Sequence, residues 1–342
     1  MNNALNRAVI ETIVRREIKN IHDSPERTTR NLIDLGRFFT EGRFQNLFFQ
    51  AAQNMLGNEN SAYYRLISDV TSNVDTERLV SFGLNLGYNS CTFGADTIRT
   101  LESQEHSNIP WSITLSVSGQ IYGQLEEVYR SVLEQGKNLG IYTWMIYAQD
   151  GIEPLLELLS ACPDCAFVLY CSPEEITDSI LDEFETLHHV MFAVRWKEGA
   201  EAACQLLRAR HFLYSVFYVY GEWNAENIRK DTVLCELEHL HPVFTAFVPE
   251  TGCSGHAREA VYRYICQTRK TQAYPMLLWD PVHDTCLIDR IISEDACLAG
   301  FDSDGYLCTF HPDFQRLDSN LFRQPLASIF KREFPKSNKV AP

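Results

Sequence analysis

Two periods of apolar residues divide the chain. Over residues 1–78 apolar side chains return at roughly helical spacing. Leu5, Val9, Ile13, Ile18 and Ile21 stand among polar residues, Leu32, Leu35 and Phe39 continue the pattern, and Phe44, Leu47, Phe48, Ala51 and Leu56 form a third stripe before Gly57. Ser24-Pro25 and Thr40 supply the start signals between them: a hydroxyl that can cap a helix, followed in the first case by a proline suited to the first turn. The expectation is an N-terminal helical domain over residues 1–78, its aromatic stripe packed on the rest of the protein.

From residue 79 the period shortens. Leu79–Gly87, Trp111–Val117, Gly140–Tyr147, Ala166–Cys171, Val190–Arg195, Phe212–Tyr220, Val243–Val248 and Tyr274–Trp279 are apolar runs of strand length, separated by amphipathic stretches long enough for helices. Strands alternating with helices need crossover connections, which predicts a parallel sheet. Eight such units over residues 79–293 predict an α/β fold, a complete or partial (β/α) TIM-like barrel, with a doubly wound open sheet as the competing architecture. Residues 294–342 read as an extension: a hairpin turning at Asp304-Gly305, a short helix in PLASIFKREF and a basic tail.

In either architecture ligands gather beyond the carboxyl ends of the strands. That rule nominates Asn89, Ser118, Gln149, Asp150, Ser172, Arg195, Glu222, Glu250 and Asp280. Glu222, Glu250 and Asp280 close three successive runs. Their carboxylates could converge for acid and base steps or hold a divalent ion.

Composition narrows the classes. With 342 residues, 45% hydrophobic and 22% charged, the chain can bury a large core and is no disordered or low-complexity protein. Thirty Lys and Arg against 45 Asp and Glu leave a formal charge of −15, which repels phosphate backbones, so nucleic acid is not an expected partner. No apolar stretch approaches the roughly 18 residues of a membrane span, and the first 20 residues carry charges throughout. Eleven cysteines scattered from Cys91 to Cys308 look like thiols of a reducing compartment, and a cytoplasmic location is expected. Cys162-Pro163-Asp164-Cys165 has the spacing of a metal pair but no second pair beside it, and reads as loop and core thiols. His283-x2-Cys286 and Cys308-x2-His311, with Cys297 between them, form the better ligand set, for zinc or iron.

The order of these segments resembles the radical S-adenosylmethionine superfamily over about residues 80–332. FGLNLGYNSCTFGADTIR resembles the loop after the first strand, where the family holds a [4Fe-4S] cluster on C-x3-C-x2-C; SITLSVSGQIYGQLEEVY resembles the second-strand region with its Gly-Gly-Glu contact to the methionine amino group. FYVYGEWNAENI, VFTAFVPETGCSG and GFDSDGYLCTF with LASIF resemble the fifth strand, the sixth strand and the carboxy-terminal extension of peptide-modifying members. The resemblance puts Cys91 on the first cluster position, with Ala95 and Ile98 on the other two, and Ser118, Gly119 and Gln120 on the Gly-Gly-Glu. One thiolate cannot hold a four-iron cluster that takes three or four, and an amide at Gln120 lacks the charge that pairs with an ammonium. The resemblance therefore implies a degenerate member. The leading expectation is a pseudoenzyme without the [4Fe-4S] cluster that binds a peptide or partner protein. The alternatives are a carboxylate enzyme using Glu222, Glu250 and Asp280, and a cluster-free S-adenosylmethionine-binding protein using Cys91, Ser118, Gly119, Gln120 and Ser172.

Overall fold

The structure, a computed structural model, describes residues 3–21, 25–39, 46–47, 50, 52–54, 57–293, 295, 297–309 and 314–336. Helices open the chain: α1 (Asn3–Asn20), α2 (Pro25–Phe39), α3 (Tyr63–Asn73) and α4 (Thr76–Leu84). α4 runs on through a π-helical stretch, Asn85–Gly94, into α5 (Ala95–Glu105). Of the stripe expected between Thr40 and Leu56, residues 46–47 and 52–54 are helical and Leu47 is exposed; Thr40, Phe44, Phe48, Ala51 and Leu56, like the Ser24 cap, lie outside the described residues.

Leu79–Gly87, expected as the first strand, is helical. Asp75 caps α4, its Oδ1 accepting from the backbone N–H of Glu77 at 2.8 Å and of Arg78 at 3.2 Å. The helix is buried on two sides. Val80 and Leu84 pack with Ile18 of α1, while Phe82 packs with Ala166, Met191 and Leu213. Burial on two faces places apolar residues at alternate positions, the period of a strand, and this is what the pattern conceals. Helix thus continues from Thr76 to Glu105, across residue 78.

The other seven runs are strands: β1 (Ser112–Val117), β2 (Thr143–Ala148), β3 (Ala166–Cys171), β4 (Val190–Arg195), β5 (Tyr214–Tyr220), β6 (Phe244–Pro249) and β7 (Leu277–Trp279), each parallel to the next. Between them run α6 (Gly119–Asn138), α7 (Leu156–Ser160), α8 (Asp178–Glu183), α9 (Ala200–Ala209), α10 (Ala225–Arg229), α11 (Thr232–Glu238) and α12 (Gly255–Thr271). After α13 (His283–Ser293), β8 (Ala299–Phe301) joins the sheet parallel to β1, and β9 (Tyr306–Thr309) and β10 (Gln315–Asn320) extend it antiparallel before α14 (Leu326–Glu333). The order is β10-β9-β8-β1-β2-β3-β4-β5-β6-β7. Among the described residues no ladder joins β7 to β10.

Alternation along the strands separates two faces. Ile113, Leu115, Ile146, Leu169, Phe192, Val216 and Phe247 are almost fully buried and share one cluster with helix residues such as Val132, Leu181, Leu207 and Ile265. Met145, Tyr170, Ala193, Phe217 and Ala246 point the other way and form a separate cluster without helix residues. The expected hairpin is β8–β9. Gly305 adopts φ +81° at the turn, and the Asp302 carboxylate accepts from the N–H of Asp304 and Tyr306. Arg316 braces it, pairing with Asp302 and Asp304 and lying 4.1 Å over the Tyr306 ring.

Candidate functional site

The second face of the sheet is covered by helix at its amino end and carries a separate cluster of its own side chains. Phe82 of α4 covers the amino ends of β3–β5. The π-helical stretch is fastened there as well: Asn85 Nδ2 donates to the carbonyls of Pro163 and Cys165, Asn89 Nδ2 to that of Asp164, and Thr143 Oγ1 to Ser90 Oγ. Toward the carboxyl ends the face is aromatic. Tyr147 stacks on Tyr170 with centroids 4.0 Å apart and planes at 16°, and Phe217 meets Tyr170 edge-on at 5.2 Å. Burial holds the Tyr170 hydroxyl up at about 12, and burial with the neighbouring Tyr170 holds Tyr147 well above the ordinary tyrosine range, so both are neutral donors. The next register row is Arg195, Phe217, Ala246, Trp279. Arg195 is exposed, and no hydrogen bond or ion pair engages its guanidinium among the described residues.

The rim above this face is unevenly satisfied. Between β1 and β2, Asp150 accepts from the Gly119 N–H at 2.5 Å and from Ser118 Oγ at 3.0 Å, and these bonds hold its pKa below the usual carboxylate range. Gln149 Nε2 donates to Ser116 Oγ. The turn that the family resemblance assigns to S-adenosylmethionine therefore already serves the chain's own carboxylate. Ser172 begins a capping box in which its N–H donates to Glu175 Oε2 at 2.6 Å, and Lys197 bonds both Ser172 Oγ and Glu174.

Glu222 and Glu250 follow neighbouring strand ends, where Tyr220 pairs with Pro249. Both are exposed. Asp280 follows β7. It is 1% exposed and caps α13, Oδ1 accepting from the N–H of Val282 and His283. His283 Nδ1 lies 3.2 Å from the same oxygen, and its ring stacks on Tyr262.

Cys91 lies in the π-helical stretch, beside the Ser90 that meets the start of β2, so it and Asn89 stand at the amino ends of the strands, away from the rim. Burial pushes the Cys91 thiol up to about 12. The segment after β1 contains no cysteine. These residues do not fit a [4Fe-4S] cluster in the family's position. Cys286 and Cys297 are buried thiols near Asp289, and burial raises both. Cys308 pairs in register with Gly300 and Arg316, with its thiol at about 11. His311 lies outside the described residues. No group of three or more His, Cys, Asp or Glu among the described residues is arranged to hold a metal ion. Cys162 and Cys165 are fully buried, inside the turn that Asn85 and Asn89 hold.

No protein-family model matches the chain, and no curated protein sequence matches it. Among solved structures it is similar to native anSMEcpe with bound AdoMet and Cp18Cys peptide, at 12% identity over 66% of this chain and 82% of that one, with a TM-score of 0.42. Hexahistidine-tagged anSMEcpe with bound AdoMet and native anSMEcpe with bound AdoMet and Kp18Cys peptide give the same identity and TM-score, over 80% and 81% of their chains. No helix among the described residues is long and apolar enough to cross a membrane. The rule of strand carboxyl ends locates Arg195, Glu222 and Glu250. It misses Tyr147, Tyr170, Phe217 and Trp279, which lie inside strands; their signal is alternation with the helix-facing residues, which becomes informative only once the sheet is known to have one helix-free face.

Proposed function

We propose that the protein is a binding protein on a radical-SAM-like α/β scaffold that acts without a [4Fe-4S] cluster. It holds a peptide or a segment of a partner protein at the carboxyl-end rim of the aromatic face. The observation that carries this reading is the register row Arg195, Phe217, Ala246, Trp279, with the Tyr147–Tyr170 stack beside it. Flat aromatic rings bury large areas of a guest with little loss of rotamer freedom. Tyr147 and Trp279 keep part of their surface accessible. Arg195 at the mouth supplies a planar donor fork for a carboxylate or a main-chain carbonyl. Ser116 Oγ, which accepts from Gln149 Nε2, keeps its own O–H to donate to an extended backbone, whose polar groups need partners once water is excluded.

Fluorescence polarisation with labelled nine-residue peptide pools tests this reading. Wild-type protein is expected to bind, and Tyr147→Ala and Arg195→Gln each to weaken binding about tenfold with the melting transition retained. Unchanged affinity in both variants would sink it. Calorimetry with S-adenosylmethionine separates the cluster-free cofactor reading. Asp150 already engages Gly119 and Ser118, so the expected result is no heat of binding at millimolar cofactor. Iron and sulfide analysis after anaerobic reconstitution tests the cluster: stoichiometric iron would overturn the assignment. The carboxylate-enzyme reading rests on Glu222 and Glu250 alone, since Asp280 is committed to α13, and it requires a turnover abolished in Glu250→Gln.

A further inference from the structure

The rim over β5 and β6 bears on which kind of segment would be selected there. The sequence Tyr220-Gly221-Glu222-Trp223-Asn224 makes a tight turn in which Asn224 Oδ1 accepts from the Gly221 N–H at 2.8 Å. The turn holds Trp223 in solvent, 77% exposed, at a place where nothing in the core needs it. Its indole nevertheless has neighbours. A Cβ added at Gly221 would lie 3.1 Å from Trp223 Cδ1 and Nε1 and 2.7 Å from Glu250 Oε2, so the ring edge and the carboxylate converge on one glycine. Cys253, whose thiol is raised by burial and opposed by Arg258, also feels Glu222 and Glu250, which brings both carboxylates to that corner.

Arg258 stands at the same corner and has a partner of its own, and among the described residues neither carboxylate is ion-paired. Elsewhere on the rim the acids are engaged: Asp150 by Gly119 and Ser118, Glu174 by Lys197, Glu175 by the Ser172 N–H. Among the described residues Glu222 and Glu250 have no side-chain hydrogen bond or ion pair. The same is true of Arg195, so the mouth carries one unpaired cation on the β4 side and two unpaired anions with an exposed indole on the β5–β6 side. Building on the peptide-binding reading, we infer that the bound segment carries an arginine or lysine side chain that lies over Trp223 between Glu222 and Glu250, and an acidic group or carboxy terminus that meets Arg195. An indole face attracts a cation, two carboxylates complement it, and the opposite sign across the mouth fixes the direction of the segment.

Four fluorescein-labelled nine-residue peptide pools serve as probes, randomised except at the centre, which is Arg, Lys, citrulline or Glu. The Arg and Lys pools are expected to bind wild-type protein at least tenfold more tightly than the citrulline and Glu pools, with a preference that shrinks as salt rises. Glu250→Gln and Trp223→Ala, both surface changes, should each erase most of that preference, read as the ratio of Arg-pool to citrulline-pool affinity. If all pools bind alike and only Tyr147→Ala weakens them, the cation inference is overturned and the peptide-binding reading stands. If no pool binds, or if neither Tyr147→Ala nor Arg195→Gln changes anything, both fall.

Discussion

At the scale of single residues, the clearest consequences follow from groups with one defined partner. His283 is raised above the ordinary histidine value by the Asp280 carboxylate 3.2 Å from its Nδ1, with Glu259 adding, while burial and Arg258 oppose. A raised folded value means the protonated ring is favoured in the fold. That stabilisation is present below the unfolded value and is lost as pH rises through the folded one. Asp280→Asn keeps an acceptor for the Val282 and His283 N–H groups and removes the charge. A ring titration by NMR should show the His283 midpoint falling in that variant while α13 persists. Gly136 tells a packing story. It has no unusual backbone angle, yet a Cβ there would meet Trp144 Cζ2 at 2.3 Å, and Trp144 is fully buried. Gly136→Ala should destabilise by roughly 1–3 kcal/mol in urea unfolding, through overpacking alone. Little of this is legible in the sequence. Asp280 resembles a catalytic carboxylate there because it follows a strand, but Val282 and His283 stand within reach of its oxygen, and capping outcompetes display at the rim.

Among the elements, α4 is the one the apolar pattern misstates. Its start is marked, since Asp75-Thr76-Glu77 is a capping acid followed by an acidic first turn, but alternate burial imitates a strand. The strands themselves are well marked, because parallel strands covered by helices are near-continuous apolar runs. β8 is visible only as a hairpin arm. Its second partnership, parallel to β1, joins segments far apart in sequence, which local pattern cannot specify. Docking of α4 depends on Arg78, 2% exposed, which lies 3.6 Å from the Phe212 ring centroid and donates to the carbonyls of Leu187 and Glu185. Burial lowers its pKa, and the Glu185 carboxylate offsets part of that effect. Arg78→Leu fills similar space and leaves those carbonyls without their donor. The expected loss is about 2–4 kcal/mol, read by denaturant titration.

Across the whole molecule, one apolar cluster runs from Ala95 of α5 to Phe330 of α14. The carboxy-terminal extension is therefore part of the same core, with Phe301, Leu307, Leu326 and Ile329 all nearly buried. This continuity needs the sheet order, which sequence supplies only for neighbouring units. The cluster-binding loop implied by family resemblance depends on treating α4 as a strand. Once that segment is helical, Cys91 moves to the opposite end of the sheet from the rim. One feature of the sheet then governs how recognition could be admitted. β3 is laced to neighbours on both sides, whereas β7 is bonded to β6 alone among the described residues. Side-chain packing yields at lower free energy than two rows of backbone bonds. Deuterium should therefore enter the amides of β7 before those of β3, and a guest that spans the two flanks should slow β7 while leaving β3 as it was. Width at the mouth becomes an adjustable quantity, set by whatever occupies it.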